Sequence, residues 1–149
     1  LVLMLSDNLK HVLYESNEKT ISLEKEIHFI DNYIKFQAIR TEGVKHISYN
    51  KSIDSFNHQI APLLLITIIE NAFKHSTLNS EIKVGILLEQ GVLNFTCEND
   101  FDKEKVSTSD LKIGLQNLEK RLELIYKDNY EFNINNTSTF KVVLKLNLT

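Results

Sequence analysis

Residues Leu63 to Phe73 form a nearly unbroken apolar run, and charge gathers at its end. Glu70, Asn71, Lys74 and His75 fall within six residues. A run of this kind reads as a buried helix, and Pro62 suits the first turn of it. Placing Glu and Asn in such a stretch costs stability unless both find partners. Helical spacing brings Glu70, Asn71 and Lys74 out on one edge. A carboxylate and an amide oxygen suit a hard cation such as Mg²⁺, and a lysine suits phosphate. Two readings fit these residues: a Mg-nucleotide site, or a helix end that leaves the core and turns polar.

The flanking pattern sets the fold class. Before the run, Leu5, Leu9, Val12 and Leu13 recur at helical spacing over residues 1–16, followed by the polar break Ser16-Asn17-Glu18-Lys19. Ser22 is a good N-cap, with Glu24 and Glu26 in the first turn. Leu23, Ile27, Ile30, Ile34 and Ala38 then make an apolar stripe that Thr41-Glu42-Gly43 terminates. Val44 to Ile53 reads as a strand. After the run the period changes to two: Ile82, Val84, Ile86 and Leu88 alternate, as do Leu93, Phe95 and Cys97, around a Gln90-Gly91 turn. Asp100 to Asp110 is a charged loop, expected to be a mobile lid through Lys112. A helix over Ile113 to Tyr126 presents Leu115, Leu118, Leu122 and Ile125, and a hairpin of Tyr130 to Ile134 and Phe140 to Leu148 closes the chain. Two leading helices followed by hairpins and helices imply an α+β sandwich, a mixed sheet with helices over one face.

Composition removes several functions. Four glycines argue against a Gly-rich Walker loop. One cysteine, Cys97, excludes an internal disulfide and a multi-cysteine zinc site. A net charge of −3 gives no nucleic-acid footprint. The apolar run Ile60 to Ile69 is about half a membrane span.

Pro62-Leu63-Leu64-Leu65 followed by Glu70-Asn71-Ala72-Phe73-Lys74-His75 resembles the asparagine box of GHKL ATPases, in the form found in LytS-type sensor histidine kinases. Leu5 to His11 with Tyr14 to Ser16 resembles the segment after the phosphoacceptor helix of that family. Leu23 to Arg40, with Glu26, Ile30, Tyr33, Ile34 and Arg40, looks like its second helix. Ile113-Gly114-Leu115-Gln116-Asn117-Leu118, followed by Arg121-Leu122, resembles the second glycine box and its helix. The resemblance implies a Bergerat-type sandwich binding ATP and Mg²⁺. Residues 1–42 would be the end of the dimerisation and phosphotransfer helices, and 43–149 the ATP-binding domain. Asn71 would ligate Mg²⁺, Lys74 would meet the phosphates with His75 beside them, and Glu70 would orient or deprotonate a reacting group. Gly114 and Leu115 would border the nucleotide. The reaction implied is transfer of the ATP γ-phosphoryl to a histidine. The partners implied are a second copy, through the N-terminal helices, and a response regulator. The implied location is a cytoplasmic domain of a bacterial protein that reaches the membrane through upstream segments.

The resemblance also marks departures. Asn99 stands where an adenine-binding aspartate is expected, with Glu98 the alternative in a register shifted by one. An asparagine oxygen accepts a hydrogen bond without charge. Phe101 replaces the first glycine of its box, and Lys112 stands at another glycine position, where it is a phosphate contact or simply solvated. Arg121 reads equally as a surface ion-pair residue and as a ligand contact. His11, His28, His46, His58 and His75 lack the context of the phosphoacceptor, which the family carries upstream, so the chain alone is not expected to phosphorylate itself. Against the kinase reading stand a degenerate module of the same fold acting as a dimerisation or regulatory adaptor, and a binding domain whose apolar helix is simply core.

Overall fold

A computed structural model describes residues 19–42, 45–77, 79–102 and 108–149, with the backbone alone for 108–111. The expected first helix, the Gly43 cap and residues 103–107 of the expected lid lie outside the described residues.

Strand β1 (Ile21–Ser22) leads directly into helix α1 (Leu23–Arg40). Ser22 is the N-cap: its backbone is extended and its Oγ accepts the Lys25 N–H at 3.2 Å. At the other end the Thr41 N–H and hydroxyl both return to the Gln37 carbonyl, at 2.9 and 2.6 Å. Leu23, Ile27, Ile30 and Ile34 are buried as the stripe requires, but Gln37 rather than Ala38 continues the buried face.

Strand β2 (His46–Ile53) follows, then β3 (Gln59–Ile60), which pairs with β1 in a two-stranded antiparallel ribbon. Helix α2 (Leu64–His75) comes next, then β4 (Glu81–Glu89), β5 (Val92–Asn99), helix α3 (Thr108–Tyr126), β6 (Tyr130–Asn135) and β7 (Phe140–Asn147). The main sheet has the order β2-β4-β5-β7-β6. β2 runs parallel to β4, and every other pair is antiparallel. The β4–β5 turn is tight because Gln90 and Gly91 both take positive φ, at 50° and 80°, a geometry that matches the twist of a two-residue hairpin.

Strict alternation builds the core. Ile82, Val84, Ile86 and Leu88 of β4, Leu93, Phe95 and Cys97 of β5, and Phe140, Val142, Leu144 and Leu146 of β7 are all buried. Cross-strand register puts them on one face, for example Val84 opposite Cys97 and Cys97 opposite Val142. The helices cover that face. α2 buries Leu64, Leu65, Ile66, Ile68, Ile69, Ala72 and Phe73, each large side chain contributing roughly 1.5–3 kcal/mol. α3 buries Leu115, Leu118 and Leu122, while Ile125 is 43% exposed and the half-buried Tyr126 takes its place.

Pro62 is not in the first turn of α2. The helix begins at Leu64, and its N-cap Leu63 is left-handed, at φ 67°. α3 likewise starts at Thr108, five residues before the expected start.

Candidate functional site

The start of α2 is held from two sides. On α1, the buried Glu26 carboxylate accepts the Leu63 N–H through Oε2 at 3.3 Å. On α3, Arg121 Nη2 donates to the Pro62 carbonyl at 2.9 Å, and the Tyr126 hydroxyl accepts the Ala61 N–H at 3.0 Å. Leu63 has no side-chain cap of its own, so the carboxylate takes over that task for a helix N-terminus. Burial pushes the Glu26 carboxyl up to about 7, against smaller lowering contributions from the Leu63 N–H and the Arg121 guanidinium. Arg121 therefore has a structural partner in the loop before α2. Sequence reasoning placed Glu26 in the first turn of a helix, where an acid needs no tertiary partner.

The far half of α2 opens into a cleft of about 640 Å³ lined by Tyr33, Gln37, Arg40, Thr41, Lys45, Thr67, Glu70, Asn71, Phe73, Lys74 and Gly114. That volume suits a small-molecule site. Glu70, Asn71, Lys74 and Gly114 are thus brought together, three of them from one edge of α2 and the fourth from α3. Asn71 is buried at 8% exposure. A Cβ built on Gly114 would lie 2.7 Å from Asn71 Oδ1, so glycine is what lets α3 approach the amide this closely.

The remaining expected residues lie outside that lining. Leu115 is core, at 1% exposure. Lys112 is exposed on α3, and His75 is half-buried at the end of α2. Asn99 ends β5 with 1% exposure, its Nδ2 donating to the Asp100 carbonyl at 3.0 Å. Phe101, at the position of the missing glycine, is buried against Phe140 in an edge-to-face contact with centroids 6.3 Å apart.

The opposite wall comes from α1 and the residues after it, which sequence reasoning did not assign to the site. Tyr33 packs edge-on against Phe73, at 5.8 Å between centroids. Burial, then the Glu70 carboxylate, push its hydroxyl up to about 12. Lys45 Nζ donates to the Phe73 carbonyl at 3.2 Å and to Ser76 Oγ at 2.6 Å, closing the C-terminal end of α2. Burial and the nearby Arg40 lower its pKa. The apolar i, i+4 spacing in α1 hides these residues, because they gather only when α1 packs on α2.

Residues 1–44 match the family profile described as histidine kinase. Over 120 residues the chain is 28% identical to the sensor protein kinase HptS of Staphylococcus aureus (strain USA300), an alignment covering 78% of this chain and 22% of HptS. The chain thus spans only 22% of the length of the curated relatives it matches. The nucleotide-free catalytic domain of histidine kinase ThkA superposes with a TM-score of 0.54 at 14% identity, covering 87% of this chain and 95% of that domain. ThkA in complex with response regulator protein TrrA superposes with a TM-score of 0.53 at 14% identity, covering 99% of this chain and 48% of the other. The fold, a mixed sheet with helices on one face, is that of histidine kinase catalytic domains.

Proposed function

We propose that this chain is the ATP-binding catalytic part of a LytS-type sensor histidine kinase, transferring the γ-phosphoryl of ATP to a histidine upstream of it. The meeting of Asn71 with Gly114, in one cleft with Glu70 and Lys74, carries the reading. The donor set fits Mg²⁺: an amide oxygen and a carboxylate are hard oxygen ligands. Asn71 would hold the ion, which when bound neutralises phosphate charge. Lys74 draws the phosphates into the cleft. Glu70 orients the attacking imidazole or takes its proton as the bond from the γ-phosphorus to its bridging oxygen breaks and ADP leaves. Gly114 borders the nucleotide from α3, while His75, Lys112 and Leu115 as its neighbours and Asn99 as acceptor of the adenine amino group rest on the resemblance alone, since they lie outside the cleft lining.

In this reading residues 1–42 end the helical region that pairs two copies, and 43–149 form the ATP-binding unit. A response regulator receives the phosphoryl group, and the naming of HptS as a sensor kinase and the ThkA–TrrA complex support that role. The unit is cytoplasmic and reaches a membrane through upstream segments. Among the described residues no helix is long and apolar enough to cross a membrane. A second reading, a module of this fold that has lost ATP and serves as an adaptor, draws on Phe101 filling the core where glycine is expected.

Calorimetry with ATP and Mg²⁺ on the parent chain and on Asn71→Ala separates the two. Heat of binding in the parent, abolished in Asn71→Ala, is expected. No heat from the parent at millimolar ATP would leave the adaptor.

A further inference from the structure

The cleft is cationic in a chain whose net charge is −3. Among the described residues, Arg40, Lys45 and Lys74 line it, against the one carboxylate of Glu70. Two of the three cations do not belong to α2. Arg40 is the last residue of α1, and Lys45 follows shortly after it. Like charges held at one cleft repel, and Lys45 registers that repulsion: Arg40 helps to lower its pKa.

Aromatic packing and hydrogen bonds hold two of these cations in place. Tyr33 against Phe73, and Gln37 at 5% exposure, dock α1 on α2 and so bring Arg40 to the rim. Lys45 is anchored by donating to Phe73 and Ser76, which uses two of its three N–H donors. Cations gathered in a concave site focus potential on an anion. The planar guanidinium of Arg40 suits two phosphate oxygens at once.

We propose that the end of α1 is the polyphosphate-binding wall of the site, with Arg40 gripping the terminal phosphates of the nucleotide opposite Lys74. Naming a nucleotide as the ligand rests on the function proposed above, whereas an anion wall does not. Nucleotide affinity then depends on how α1 is docked, so the unit of residues 43–149 draws one wall of its site from the helix before it.

The test compares the parent chain with Arg40→Ala and Arg40→Lys, titrated with Mg-ATP, AMP and tripolyphosphate. Arg40 is exposed, so both variants are expected to melt as the parent does. Arg40→Ala is expected to bind ATP and tripolyphosphate about tenfold more weakly and AMP within about twofold of the parent, with Arg40→Lys between them. ATP affinity of Arg40→Ala within about twofold of the parent would overturn the wall while leaving the kinase reading intact. Tripolyphosphate binding that depends on Arg40, without ATP binding, would sustain the wall and sink the nucleotide. A parent that binds none of the three probes overturns both.

Discussion

Replacing Glu26 by Gln tests whether a buried acid at the start of α2 makes stability depend on pH. The folded chain holds the proton up to about pH 7, whereas the unfolded carboxyl releases it near 4.5. The folded state therefore binds more protons between those values, and stability falls as pH rises through them. The stability is fully present below about 4.5 and is lost by the time pH has passed about 7. The whole interval corresponds to about 3 kcal/mol at roughly 1.36 kcal/mol per pH unit, and the part between pH 5 and 8 to about 2.5 kcal/mol. A neutral glutamine keeps an oxygen for the Leu63 N–H but has no proton to lose. Urea denaturation of both chains at several pH values between 5 and 8 isolates the effect, because the histidines and other titrating groups are common to both. The parent is expected to lose about 2.5 kcal/mol more than Glu26→Gln over that range, a relative drop in Tm of roughly 5–10 °C. Parallel curves, with a parent-minus-variant difference constant to about 0.5 kcal/mol, would refute the reasoning that burial dominates at Glu26.

Two further outcomes follow from single contacts. Gly114→Ala gains about 1 kcal/mol of helix propensity, but its Cβ would meet Asn71 Oδ1 at 2.7 Å, and overpacking of about 1–3 kcal/mol offsets that gain; Tm is expected to stay level or fall while ATP affinity falls about tenfold, and unchanged affinity would show that the amide does not bind ligand. Cys97 is buried, and burial pushes its thiol up to about 12; a thiol reagent should label it slowly in buffer and fast in denaturant, and fast native labelling would contradict the packed β5.

Much of the scaffold was legible because burial obeys a local period. β4 and β5 alternate strictly, so reading every second residue found the core face, and Ser22 caps α1 as its chemistry demands. Where a distant partner decides, local reading failed. The β1–β3 ribbon is two residues deep and exists only through pairing across the chain. Nothing about a leucine announces a left-handed N-cap, and Leu63 adopts one where Glu26 from α1 meets its N–H and Arg121 and Tyr126 from α3 hold the two residues before it. The same holds for the site. Asn71 was legible as an amide out of place in an apolar helix, and Gly114 only through the resemblance of its segment to a glycine box. Arg40, Lys45, Tyr33 and Gln37 look ordinary in their own segments, and only the docking of α1 on α2 turns them into a wall.

The strand order also sets when the molecule can first exist. β7, the last strand of the chain, lies inside the sheet, pairing with β5 on one side and β6 on the other. Its register joins Val92 to Asn147 and Asn99 to Phe140, contacts that close long loops and form slowly. During synthesis β5 of the β4–β5 hairpin therefore keeps one edge unpaired until β7 has left the ribosome. A chain stopped before Phe140 would lack the strand between β5 and β6 and leave β6 without a neighbour.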